Sequence, residues 1–343
     1  MSGQIPFKPS VPALDMKFNA ADAEIILRSS DGVDLAVHKF VLQLSSPVFR
    51  DLLSLPQPPK CNEDTTARDQ AVIHMTEDAQ SLRLMLCFCY PRTLCPEPDL
   101  LIIDDIKRAA TLAQKYDIGL MRDAAETALV RFATNHPDIA YAVAWRYEYP
   151  VALRITARRS LEPFVASPDA LEWDEVPASS VFKLLRYQNS VPAALEDLLN
   201  AEYNFKSQSV MSWIDPSIFT AEDYLRSDIL AAKCTCKQLL LRCIAEAEKA
   251  PESDSSSHTR PLRLVREWWW LFIRAIVTTV MRSDRPPFDD AVSKALPDAC
   301  KRALDCPECR LRDIQAILEF TTNALRAEIE KRLENIPLGA PFM

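Results

Sequence analysis

The sequence predicts an α+β domain of roughly 115 residues followed by an all-α helical region. Three observations carry this. Asp31-Gly32 is a hairpin signal between Glu24-Ile-Ile-Leu-Arg-Ser29, of strand composition, and Val33 to Val37, where Val33, Leu35 and Val37 alternate with Asp34 and Ala36. From Phe40 onward the apolar residues change to helical spacing. Beyond His136 every apolar segment reads as a helix, most of them bounded by proline, with no repeat of fixed period.

Taken in order, residues 1–18 hold Pro6, Pro9 and Pro12 without periodicity and read as an extended or disordered arm. The domain is placed at 19–133. After the hairpin, Phe40, Val41, Leu44, Val48, Phe49, Leu52 and Leu53 recur at helical spacing, with Ser46 as cap and Pro47 at the first position of a second helix. Residues 57–70 are polar and rich in proline, a loop. Ala71 to Met75 is a short strand, and Thr76 or Asp78 can cap the helix running to Tyr90. Helices follow at about 101–116 and 120–133, the second with Met121, Ala125, Ala128 and Phe132 on one stripe. Gly119 is placed to close the first in a left-handed conformation.

The helical region divides into 134–250, a linker at 251–261 (Pro-Glu-Ser-Asp-Ser-Ser-Ser-His-Thr-Arg-Pro) and 262–335. Its expected helices are 137–147, 151–161, 179–187, 193–203, 262–281, 288–304 and 311–333.

Composition excludes several functions. Only Gly3, Gly32, Gly119 and Gly339 occur among 343 residues, so neither glycine-rich phosphate-binding motif can be written. A net charge of −8 opposes general binding of polyanions, which makes nucleic acid a poor partner. The start of the chain shows no secretory or organellar signal. The most apolar stretch, Trp268 to Met281, is too short and, with Arg274, too charged to span a bilayer. An intracellular protein of cytoplasm or nucleus is expected, with its 10 cysteines as thiols or metal ligands rather than disulfides. Catalytic patterns such as G-x-S-x-G and H-E-x-x-H are missing, and the expectation is a protein without enzymatic activity.

The first domain carries an ordered set of residues. Asp22-Ala-Glu-Ile-Ile-Leu, Ser30-Asp-Gly, Val37-His-Lys-Phe-Val-Leu42 and Leu44-Ser-Ser-Pro-Val-Phe49 resemble the start of a BTB/POZ domain. Leu82 to Tyr90 and Ala109-Ala-x-Leu-Ala-Gln-Lys-Tyr look like its remaining helices. More loosely, Ala140-Tyr-Ala-Val-Ala-Trp-Arg-Tyr, Ala157 to Leu161, Leu184 to Tyr187 and Trp269-Trp270 resemble the helical extension of fungal BTB-domain proteins. The resemblance implies a protein–protein interaction module that forms a homodimer, and in some members an adaptor for a cullin ubiquitin ligase. It also implies that Asp22, His38 and Lys39 belong to a polar cluster at the dimer interface. A carboxylate and a base at the ends of adjacent strands can pair; alternatively His38 only caps the helix that follows it. Cullin-binding relatives tend to carry a hydrophobic-x-Glu element after the second helix. Here Leu55-Pro-Gln-Pro-Pro-Lys-Cys-Asn-Glu places prolines there, which leaves cullin recruitment without support.

Cys234-x-Cys236 and Cys306-x-x-Cys309, about 70 residues apart, have the spacing of two halves of a structural Cys₄ zinc site. The same residues can equally be ordinary buried thiols or a redox pair. A zinc site would open a role as transcription or chromatin regulator. Cys87 and Cys89, two apart on a helix, point about 200° apart and read, with Cys95, as core. Trp268-Trp-Trp270 covers a similar arc, so its helix is expected to be apolar on more than one side, through burial or a partner groove.

Overall fold

The computed structural model describes residues 13–55, 70–161, 169–196, 198–199, 238–242, 262–282, 286–311 and 313–343. The chain divides into two compact units. One takes in residues up to 156 together with 169–176, and the other most of the remainder.

The first unit is built on a four-stranded mixed sheet in the order β1-β3-β2-β4. The strands are β1 (Ala13–Asn19), β2 (Ile25–Arg28), β3 (Val33–Val37) and β4 (Ala71–His74). β2 and β3 form the expected antiparallel hairpin, with Gly32 at φ 81° in its turn, a conformation that costs a residue with a Cβ. β1 runs parallel to β3, and β4 parallel to β2. The expected arm is therefore a strand from Ala13 onward. Its three prolines all precede that strand, so none removes a ladder donor. The alternation of Val33 to Val37 does not leave one face to solvent: both faces of the hairpin are buried. Ile26, Ala36 and Val72 share one face of the sheet in a small apolar cluster. Leu27 and Leu35, on the other face, are wholly inaccessible.

Two short helices follow, α1 (Lys39–Ser45) and α2 (Pro47–Ser54). Ser46 joins them in extended conformation; its Oγ accepts the Phe49 N–H at 3.1 Å and donates to the Tyr116 carbonyl at 2.5 Å. One hydroxyl thus caps α2 and fixes it to a distant helix end. Asp78, rather than Thr76, caps α3 (Ala79–Cys89) by accepting the Ser81 N–H at 2.7 Å.

Helices α4 (Ile103–Tyr116) and α5 (Gly119–Phe132) form an antiparallel pair close to the expected positions. The turn differs. Asp117, at φ 51°, takes the left-handed position expected of Gly119, which instead opens α5. Aspartate tolerates this region better than most residues with a Cβ. On α5, Leu129 completes the buried stripe with Met121, Ala125 and Ala128, and Phe132 is only half-buried.

The unit runs on past residue 133 through α6 (Pro137–Arg146) and most of α7 (Pro150–Arg159). A 3-10 turn, Leu171–Glu175, joins it. Lys107 Nζ on α4 lies 3.2 Å from Glu172 and 2.6 Å from Glu175, and Trp173 stands against Tyr141 of α6.

The second unit contains α8 (Ala178–Glu196), a two-stranded sheet, and α9 (Glu267–Val280), α10 (Phe288–Leu304) and α11 (Ile314–Glu334). Two expectations are corrected here. Pro192 does not separate two helices, for α8 passes through it. A proline costs one intrahelical bond, and Val191 and Leu195, both buried, hold the helix on either side of it. Nor is the region all-helical: β5 (Gln238–Arg242) and β6 (Leu262–Arg266) pair antiparallel. Leu262-Arg-Leu-Val-Arg266, inside the expected helix 262–281, is a strand instead. Runs of five residues carry too little periodicity to separate helix from strand.

All three tryptophans of Trp268–Trp270 are buried, and Trp269 Nε1 donates to Thr321 Oγ1 on α11 at 2.8 Å. The long loop expected at 57–70 and the linker at 251–261 lie outside the described residues, except for Gln70.

Candidate protein-interaction surface

α1 and α2 leave more apolar side chains exposed than solvent favours. Of the seven helically spaced apolar residues, Phe49 and Leu53 are buried while Val41 is half-buried. Leu42, outside that set, is the buried residue of α1. Phe40 and Leu44, one turn apart on α1, stay 70% and 69% exposed. Val48 and Leu52 repeat the spacing on α2 and are also exposed, as are Leu55 and, on β1, Met16 at 95%. An α-helix of seven residues cannot stand alone in water. α1 is held through Leu42 and through Ser45, whose Oγ donates to the Cys89 carbonyl at 3.0 Å, and this leaves Phe40 and Leu44 outward.

A polar cluster fixes the start of α1. His38 Nε2 lies 3.4 Å from Asp22 Oδ1. The His38 backbone N–H donates to Tyr90 Oη at 2.9 Å, and Nδ1 is 2.9 Å from the same oxygen. The backbone N–H can only donate, so the single phenolic proton is available to Nδ1. That arrangement puts the neutral imidazole's own proton on Nε2, facing Asp22. Tyr90 is buried, which pushes its phenol above the ordinary value and keeps it a donor. Lys39 enters the cluster through its backbone N–H, which donates to Glu24 Oε2 at 3.0 Å.

Asp22 and His38 are thus neighbours, and Lys39 adjoins them by its main chain. His38 occupies the cap position of α1, but its side chain makes no capping bond. Asp22 is an exposed residue, so charge is not what holds the cluster. Tyr90 and Glu24 were not foreseen. Tyr90 lies 52 residues from His38, and no local signal links them.

Behind this surface, β1 is anchored to α3. Asp15, buried, accepts the N–H groups of Lys17 and Phe18 at 2.8 and 2.9 Å and lies 2.5 Å from Arg83 Nε. Burial opposes ionisation of Asp15, yet these bonds together hold its carboxyl below the usual carboxylate range.

Cys306 and Cys309 are both buried on the turn after α10, with Cys309 opening a 3-10 turn. Cys234 and Cys236 lie outside the described residues. Among the described residues no three His, Cys, Asp or Glu side chains come together as a metal site. The turn supplies two thiols, which is half of a tetrahedral zinc site.

The first unit thus sets a mixed sheet among short helices, one of which presents apolar side chains beside an anchored polar cluster. Residues 16–133 match the BTB/POZ domain family, and the first unit accordingly contains a BTB/POZ domain, followed by a mostly helical C-terminal region. Such domains are generally non-catalytic modules of protein–protein interaction and often self-associate, and no catalytic family matches. The match supports no fungal origin. No curated protein matches the chain. Among the described residues, no helix is long and apolar enough to cross a membrane.

Proposed function

We propose that the chain is an intracellular, non-enzymatic scaffold that forms a homodimer through α1 and α2 and offers its helical region to a second protein. The observation that carries this is the exposure of Phe40 and Leu44 one turn apart, on a helix whose start is pinned by Tyr90. Burying two such side chains in a partner contributes roughly 1.5–3 kcal/mol each toward association. Sedimentation velocity tests it. The wild type sediments as a dimer at micromolar concentration, and the double variant Phe40→Asp, Leu44→Asp as a monomer with an unchanged circular dichroism spectrum. A monomeric wild type overturns the reading. The adaptor role toward a cullin scaffold turns on residues 56–63, outside those described.

The zinc reading has one supporting observation, the burial of Cys306 and Cys309 on a single turn. In that reading Cys234 and Cys236 complete a Cys₄ site that ties the helical region together, as a transcription or chromatin regulator would use it. Metal analysis of the purified chain gives about one equivalent of zinc if so, and less than about 0.2 equivalents discards it.

A further inference from the structure

α8 carries apolar side chains on two sides. Leu184, Tyr187, Val191 and Leu195 are buried and make its core side. Val181, Phe182 and Leu185, grouped within about 100° of arc on the other, stay 36%, 68% and 46% exposed. Phenylalanine and valine are no better than middling helix formers, so the helix itself gains nothing by showing them to water. Ala178 and Asn189 are also exposed, and with Phe182 and Leu185 they mark positions 178, 182, 185 and 189. Steps of four, three and four are the d-a-d-a spacing of a coiled-coil seam, about three turns long. Val181 and Arg186 flank it at the adjoining g and e positions, and Pro192 takes the next d, where the seam stops.

The charge along this seam has one sign. From Ala178 to Leu195 the helix holds Lys183 and Arg186 and no carboxylate. Elsewhere in the second unit Arg158, Arg302, Arg326 and Arg332 each pair with an aspartate or glutamate. Arg186, exposed, pairs with no carboxylate among the described residues. A cation at an e position takes its counter-charge from the helix that packs beside it.

We infer that the 178–189 seam of α8 receives one helix of a partner protein, with apolar side chains at heptad spacing and a glutamate facing Arg186. This rests on the proposed scaffold reading and names the chemistry of the second protein that the helical region takes. A second copy of α8 does not meet the requirement. Packed parallel, it sets Val181 against Arg186, and packed antiparallel it sets Arg186 against itself, so the cation goes without a carboxylate either way. The charge thus selects a different, acidic helix, and the exposed Phe182 and Leu185 anchor it.

Fluorescence anisotropy with the full chain tests this. The probe is a labelled three-heptad peptide with leucine at a and d and glutamate at e and g, whose own copies repel one another. The control peptide carries lysine at e and g. The glutamate peptide should bind saturably and the lysine peptide about fivefold more weakly, with the gap closing in high salt. Phe182→Asp should abolish binding, Leu185→Ala weaken it about tenfold, and Arg186→Glu invert the preference between the peptides. The double variant Phe40→Asp, Leu44→Asp should bind the glutamate peptide as the wild type does, so failure of the dimer alone leaves this inference standing. The inference is overturned if the glutamate peptide does not bind, if both peptides bind alike, or if a folded Phe182→Asp binds as the wild type. It falls equally if Phe182→Asp dissociates the dimer in sedimentation, for the seam then serves a second copy. A chain that dimerises through α1 yet ignores the glutamate peptide loses this inference alone. The comparison of the two peptides on the wild type decides the matter even if a variant fails to fold.

Discussion

Two apolar helical segments of this protein behave in opposite ways. In α9 the run Trp268-Trp-Trp270 with Phe272 and Ile273 is buried throughout, while Phe40, Leu44, Val48 and Leu52 of α1 and α2 face solvent. Conspicuous composition marks the first, and only ordinary amphipathic spacing marks the second. A helix apolar around most of its circumference is covered over most of it, and in α9 only Arg274, Ala275 and Thr278 are left exposed. A short helix with a single buried anchor, such as Leu42 in α1, needs only that side for the core and can present the rest to a partner. The docking surface is therefore found where apolar residues exceed what the core consumes, not where they are densest.

The sharpest way to break this contrast is Trp269→Ala. It empties a large buried volume and removes the bond to Thr321, so a loss of about 3–5 kcal/mol is expected in urea denaturation. The matching Phe40→Ala should shift stability by no more than about 0.5 kcal/mol. In association the order reverses: Phe40→Ala weakens the dimer, and a folded Trp269 variant leaves it unchanged. Equal stability losses would show that α1 belongs to the core.

Ser46→Ala comes next. It removes the α2 cap and leaves the buried Tyr116 carbonyl without its hydroxyl donor. A cap alone is worth about 1 kcal/mol, and the orphaned carbonyl adds to it, so about 2 kcal/mol in chemical denaturation is expected. Because Ser46 sets the angle between α1 and α2, dimer affinity should fall with it. A stability loss with affinity intact would show that the two exposed pairs act separately.

Acid offers a milder probe of how β1 is held. The Asp15 carboxyl titrates lower in the folded chain than in the unfolded one, so its stabilisation is present above the ordinary aspartate value. It is lost as pH falls through the folded value. Asp15→Asn should be less stable than the wild type at neutral pH, and the difference should shrink as the medium is acidified below about pH 4. A difference that holds constant down to strong acid would remove ionised Asp15 from the anchoring of β1.

Much of the first unit was legible because its signals are local. Asp31-Gly32 marks a hairpin, Ser46-Pro47 a helix start, and Asp78 a cap, each within a few residues of what it determines. The errors fall where the deciding partner is remote or the run short. β1 is a strand because β3 offers an edge 20 residues on, as the Ala13–Val33 register shows. Pro192 sits inside a helix because burial on both sides outweighs one lost bond. β5 and β6 are five residues each and find their pairing across residues 243–261. The polar cluster divides in the same way. Asp22, His38 and Lys39 were recognisable as a set, whereas Tyr90, which holds His38 at two points, comes from the far end of α3.

That division yields the smallest expected effect and the finest test of the cluster. Asp22 is 86% exposed, and a carboxylate in water gains little from an imidazole 3.4 Å away. Asp22→Ala should therefore cost no more than about 0.5 kcal/mol in stability. Tyr90→Phe removes the acceptor of the His38 N–H and the donor to Nδ1 together, at a buried position, so about 1–2 kcal/mol is expected. If the two variants cost the same, the ion pair, not the phenol, pins α1. If Asp22→Ala instead leaves stability unchanged but weakens dimer formation in sedimentation, its carboxylate serves the partner's surface. Its exposure in a single chain then has a reason, because an interfacial charge is left in water until the second copy arrives.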